Sequence, residues 1–100
     1  QSELRFFDDM TIDYSKREIE IARVQVALSK KEFDIVELLS TNAGQVFDRE
    51  RIYDVVWGLD GDGNSDTIME HIRKIRTKFA ALSLHQYIET VWGVGYKWKG

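Results

Sequence analysis

Cysteine and proline are both missing from this 100-residue chain. Without cysteine there is no disulfide framework, no thiolate nucleophile and no cysteine-based zinc site, and the composition suits a reducing cytoplasm. Without proline there is no polyproline linker or recognition segment. No apolar run approaches the roughly 18 to 20 residues of a membrane span, and no signal-peptide pattern opens the sequence. His71 and His85 are the only histidines and lack patterned metal-binding neighbours. Catalytic motifs are missing too: there is no HExxH, no phosphate-binding glycine loop and no nucleophile–base pair in a known spacing. Gly93-Val94-Gly95 is too short to indicate a nucleotide site and reads as a tight turn. A domain that is not an enzyme and carries no metal or cofactor is the expectation.

What the chain does have is enough apolar content, 43%, for one small domain with a single core. Its net charge of −3 argues against a generally basic nucleic-acid binder. The charge is polarised, however. From residue 66 onward six basic side chains (Arg73, Lys74, Arg76, Lys78, Lys97, Lys99) face three acidic ones (Asp66, Glu70, Glu89), whereas the first 65 residues are acidic on balance. Such a distribution orients a domain against a polyanion and leaves the acidic half for solvent or a protein partner.

Short alternating segments fill the first third. Leu4 to Phe7, Met10 to Tyr14, Glu18 to Ala22 and Val24 to Leu28 read as four strands, with Ile19 and Ile21 opposed to Glu18 and Glu20. This is the pattern of an antiparallel sheet with one face in water. Residues Gln1 to Arg5 read as a ragged start, the end of a linker from a domain outside the chain. Ser29 then stands three residues before Glu32, a capping box, with Leu28 and Phe33 placed for a hydrophobic staple. The helix it opens runs to about Ser40, buries Phe33, Ile35, Val36 and Leu39, and stops at Asn42-Ala43-Gly44. Asp48 caps a second helix through Trp57, with Ile52, Val55, Val56 and Trp57 as its apolar positions and Gly58 as its stop. A polar, glycine-rich loop of flexible character follows, and residues 60–66 contain part of a calcium-loop pattern. Ser65 stands where that loop needs glycine and His71 where it needs glutamate, so a calcium site is not expected. Tyr87 to Trp92 and Tyr96 to Trp98 complete a hairpin closed by the two glycines.

The third helix, from Asp66 to Leu82, carries the most information. Ile68, Ile72, Ile75, Phe79 and Leu82 repeat at helical spacing along one stripe. Glu70, Arg73, Lys74 and Thr77 fall on the opposite side, with His71, Arg76 and Lys78 on its flanks. A helix of this kind fits the major groove of B-DNA, where an arginine fork pairs with guanine O6 and N7 and lysine neutralises phosphate. A charged outer face is also what any soluble helix needs; the neighbouring hairpin and the two bracing helices tip the reading toward DNA. Glu70 lies within reach of Arg73 and Lys74 and either holds them in place or accepts from a cytosine N4. Trp57 reads as core and Trp98 as the residue packing the hairpin on the body, while Trp92 beside the turn is open to several roles.

These segments in this order resemble the C-terminal DNA-binding domain of the OmpR/PhoB family of two-component response regulators. The resemblance is carried by Leu28-Ser29-Lys30-Lys31-Glu32-Phe33-Asp34-Ile35, by Asp48 through Gly58, by Asp66 through Phe79 and by Ile88 through Trp98. It covers nearly the whole chain and implies an α+β winged helix-turn-helix spanning residues 1–100: an N-terminal four-stranded antiparallel sheet, three helices and a C-terminal hairpin wing. In such proteins the third helix enters the major groove of promoter DNA and the wing meets adjacent backbone or minor groove. A separate receiver, phosphorylated through a sensor histidine kinase, drives dimerisation on DNA; no receiver is present here, so the isolated domain is expected to be a monomer. The loop 58–65 is where some relatives meet RNA polymerase. Residue by residue, the resemblance points to DNA contact at Arg73, Lys74 and Arg76, to phosphate proximity at Thr67 and His71, and to wing contact at Thr90 and Trp92. Thr77, from its place on the outward helix face, and Glu70, Lys78 and Lys97, from the charge pattern, complete the candidate set. Asp66 stands where many relatives have arginine or asparagine, Glu70 where valine or asparagine is frequent, and Trp92 where some have arginine. A winged-helix module that uses the same helix and wing on another protein is the competing class, and salt dependence separates the two.

Overall fold

The alternating segments pair as expected. In the computed structural model, which describes residues 3–100, β1 (Leu4–Phe7), β2 (Met10–Asp13), β3 (Glu18–Ile21) and β4 (Val24–Val26) form an antiparallel sheet in chain order. Met10 pairs with Ile21 and Ile12 with Ile19, so all four point to the core face, and none is more than 1% exposed. Glu18 and Glu20, paired with Asp13 and Thr11, take the solvent face. Gln1 and Ser2, where the ragged start was expected, lie outside the described residues, while Leu4 and Arg5 belong to β1. The strand β4 stops at Val26 because the chain leaves the ladder to bring Leu28 against the core and Ser29 to the start of a helix. The two-residue turn before it has no glycine, yet Ala22 (φ 52°) and Arg23 (φ 67°) both sit in the left-handed region that a two-residue hairpin requires.

Helix α1 (Lys30–Ser40) opens with the capping box in place: Glu32 N donates to Ser29 Oγ at 3.2 Å and Ser29 N to Glu32 Oε1 at 2.9 Å. The same Glu32 oxygen accepts from Lys78 Nζ at 2.6 Å, across the core from a different helix. Helix α2 (Arg49–Trp57) is capped by Asp48, whose carboxylate accepts from Arg51 N at 2.7 Å, and ends at Gly58 with φ 60°. Its buried face differs from the expected one. Val55 is 55% exposed and Tyr53 is buried instead, because a rotation of about 100° per residue sets Val56 between Ile52 and Tyr53 and swings Val55 away. Trp57 is half-buried, not core, and stacks on Tyr53 at 4.9 Å.

Helix α3 (Thr67–Ala80) buries Ile68, Ile72, Ile75 and Phe79, as its period demands. It stops two residues before Leu82, where Leu82 N and Ser83 N both turn back to the Phe79 carbonyl, and Leu82 still packs against the core. The last elements are β5 (Ile88–Val91) and β6 (Gly95–Trp98), an antiparallel hairpin. Trp98 is 1% exposed in an aromatic cluster with Phe7, Phe79 and Tyr87 and so fastens the hairpin to the body. A second attachment is backbone alone: Phe47 N donates to Tyr96 O at 2.8 Å and Tyr96 N to Phe47 O at 2.9 Å. Of the two hairpin glycines only Gly93 has positive φ; Gly95 serves the close approach, since a Cβ there would collide with the Phe47 carbonyl.

Ile72→Ala should cost about 2 to 5 kcal/mol in chemical denaturation, because a fully enclosed side chain leaves a cavity. Replacing Ala22 by Asn together with Arg23 by Gly should raise stability by roughly 1 kcal/mol, since these types suit the left-handed turn. Burial disfavours the Glu32 carboxylate, but the hydrogen bonds from Lys78 and Ser29, together with the Lys78 charge, outweigh it and hold its pKa below the ordinary 4.5. A depressed folded pKa means stabilisation that is complete above that ordinary value and lost as pH falls through the folded one. Denaturant midpoints measured from about pH 6 to about pH 3 should therefore fall less steeply in Lys78→Met than in the parent chain.

Candidate nucleic-acid interface

Burial of the isoleucine stripe leaves Glu70, Arg73, Lys74 and Thr77 exposed along the outer face of α3. Arg73 is held by Glu70 through two bonds, Nε to Oε1 at 3.0 Å and Nη2 to Oε2 at 2.6 Å. The hydrogen bond and charge of Arg73 keep the Glu70 carboxyl below its usual range. Thr77 donates to the Arg73 carbonyl at 2.9 Å, which fixes its rotamer on the helix surface. Lys74 is exposed and makes no direct ion pair among the described residues, so its ammonium is open to a ligand.

Helix and wing meet across Arg76. Its Nη2 donates to Ile88 O at 2.9 Å and to Thr90 Oγ1 at 2.8 Å, and the guanidinium lies over the Tyr96 ring. Arg76 and Thr90, both expected at the site, are thus joined to each other and set the angle between helix and hairpin. The result is an open groove lined by Glu70, Arg73, Arg76 and Thr77 on one side and by Thr90, Trp92 and Tyr96 on the other. At the wing tip Trp92 is 88% exposed, with Val94 and Met69 also open to solvent nearby.

The remaining candidates fall elsewhere. Thr67 and His71 line a shallow depression at the start of α3 with Lys31, Tyr53 and Trp57. His71 Nδ1 lies 2.8 Å from the Thr67 carbonyl oxygen, and its ring meets Trp57 edge-on. Lys78 is turned back to Glu32, away from the outer face. Lys97 stands opposite Glu89 in the hairpin register, so strand alternation puts it on the wing face away from Thr90 and Tyr96.

Two basic side chains from before residue 66 also border this face. Arg49, on α2, reaches Asp66 at 3.4 Å and borders the wing, and Lys31 on α1 reaches over Trp57 to the Val56 carbonyl. Asp66 makes no capping bond to α3. Serial Asx turns lead into the helix instead, with Asp62 accepting from Asn64 N and Asn64 from Asp66 N, and the first helical N–H groups, of Thr67 and Ile68, donate to the Asn64 and Ser65 carbonyls. Tyr53 anchors this segment, donating to Asp62 Oδ1 at 2.7 Å and accepting from Asp62 N at 2.8 Å. The loop expected to be flexible is tied down at its middle.

Comparison with known proteins places this architecture. The family model described as transcriptional regulatory protein, C terminal, matches residues 23–98. The transcriptional regulatory protein SpaR of Bacillus subtilis is 38% identical over 95 residues, covering 95% of this chain and 43% of the relative. The heme response regulator HssR of Staphylococcus aureus is 35% identical over 89 residues, covering 89% and 40%. The chain thus spans less than half the length of these curated relatives. Among solved structures, the Klebsiella pneumoniae RstA DNA-binding domain in complex with the RstA box superposes with a TM-score of 0.82 at 31% identity, covering 97% of each chain. DrrB, a Thermotoga maritima OmpR/PhoB homolog, gives a TM-score of 0.86 at 32% identity over 97% of this chain and 44% of that one. With its sheet, three helices and wing in the same arrangement, the chain belongs to the family of transcriptional regulatory protein C-terminal domains, the winged-helix domain of OmpR/PhoB response regulators.

Proposed function

We propose that this domain binds double-stranded promoter DNA sequence-specifically, as the effector part of a two-component transcription regulator. The observation that carries the reading is the fixed outer face of α3, where Arg73 and Lys74 stand exposed beside a wing locked at a set angle by Arg76. In this reading α3 lies in the major groove, Arg73 faces base edges, Lys74 faces phosphate, and Thr90 and Trp92 bring the wing to the adjacent backbone or minor groove. Thr67 and His71, with Lys31 and Arg49 nearby, serve the phosphates at the start of α3. Arg76 and Lys78 act inside the protein, the first as a helix–wing tie and the second as the partner of Glu32. No catalytic role is assigned.

The remainder of the regulator is inferred from the longer relatives. A receiver outside this chain, phosphorylated through a sensor histidine kinase, would bring two copies together on DNA, while this domain alone stays monomeric. The Tyr53-anchored loop of residues 58–65, with Leu59 fully exposed at its start, is the surface offered to RNA polymerase. The setting is cytoplasmic.

The exposed Trp92 and Val94 favour a second reading, a protein-docking surface. Salt separates the two. Binding to duplexes selected from a randomised pool should weaken steeply between ~50 and ~200 mM salt, because phosphate contacts release counterions. Lys74→Ala should weaken selected and scrambled duplexes alike and reduce the slope of log affinity against log salt by about 1. Affinity indifferent to salt in the parent chain would favour the protein partner.

A further inference from the structure

Resting on the DNA-binding reading, we propose that Glu70 and Arg73 form one neutral reading unit, in which Glu70 positions the guanidinium so that its free outer edge pairs with N7 and O6 of a guanine in the major groove.

The geometry determines which donors remain. An arginine carries five N–H donors in a rigid planar fork. Glu70 takes the lateral edge, Nε and one N–H of Nη2. Left over are the second N–H of Nη2 and both of Nη1, which has no partner among the described residues. Two of these point in parallel off the end of the fork, away from the helix. Two parallel donors in one plane match the two acceptors that guanine alone presents to the major groove. Because both lateral bonds are already made, the side chain gives up less freedom on meeting the base than an unbuttressed arginine would.

Charge decides between base and phosphate as the object of that edge. Phosphate offers a comparable oxygen pair but brings a full negative charge close to a carboxylate that lies 2.6 Å from the same guanidinium. The pair is neutral as a unit, and guanine's edge is neutral too. Lys74, next along the helix and in no direct ion pair among the described residues, is the group suited to phosphate. Glu70 is thus a positioning residue that also penalises contact with backbone at the wrong register. Both partners are exposed, so the pair stands outside the core and its replacement leaves the fold intact.

Duplexes selected by the parent chain test this, with each guanine replaced in turn by 7-deazaguanine, which lacks the N7 acceptor. In the parent, one such replacement should cost roughly 10- to 150-fold in affinity, the range for losing one hydrogen bond from a charged donor. Arg73→Ala, which leaves no donor to meet the base, should abolish that cost. In Glu70→Gln and Glu70→Ala the cost should shrink, while affinity for a scrambled duplex rises at low salt. An undiminished 7-deazaguanine cost in both Glu70 variants would overturn the positioning role, and a parent that loses nothing at any guanine would overturn the base contact. Failure of the DNA-binding reading looks different: the parent would then bind selected and scrambled duplexes equally.

Discussion

Four side chains, Ile68, Ile72, Ile75 and Phe79, hold the inner face of α3 against the other two helices and the hairpin aromatics with almost no exposure. A helix anchored along its whole length cannot rotate about its axis without opening the core, which costs several kcal/mol per displaced side chain. That constraint turns an ordinary amphipathic helix into an oriented one. The outward direction of Glu70, Arg73 and Lys74 is a consequence of where the isoleucines sit. The Glu32–Lys78 pair adds a fixed point near the far end, joining the first turn of α1 to the last turn of α3. A buried carboxylate is expensive unless fully bonded, and Glu32 has its bonds from two different elements. Displacing α3 lengthwise would break one of them.

Much of this was legible beforehand because local and long-range demands agree. The capping box at Ser29 and Glu32 needs only four consecutive residues, and the isoleucine stripe only a period, so both could be read directly. The boundary of β4 and the burial of Tyr53 in place of Val55 depend on which neighbour each element meets, information that no single segment holds. The site shows the same division. Exposure of Arg73, Lys74 and Trp92 follows from helix and hairpin periodicity. The engagement of Lys78 with Glu32, 46 residues away, and of Arg76 with Thr90 does not, because charge in a sequence carries no sign of what it will be paired with. The nearness of Arg49 and Lys31 to α3 is hidden for the mirror-image reason: chain distance separates them from a helix that the fold brings alongside.

The net charge of −3 is reconciled with a polyanion ligand by sorting, not by excess. Glu18 and Glu20 lie on the outer face of the sheet, and Glu70 is neutralised by Arg73. A face balanced in this way has less indiscriminate grip on backbone than a uniformly basic one and depends more on what each side chain meets.

The pairing of Phe47 with Tyr96 gives the hairpin a third, single-bridge neighbour just before α2 begins. A two-stranded ribbon alone in water is at best marginally stable. Stitched to the body at Phe47 and seated by Trp98, this one arrives at its target already shaped. Association then requires little ordering of the chain, so the heat capacity change on binding should reflect the contact area alone, without the added increment of coupled folding.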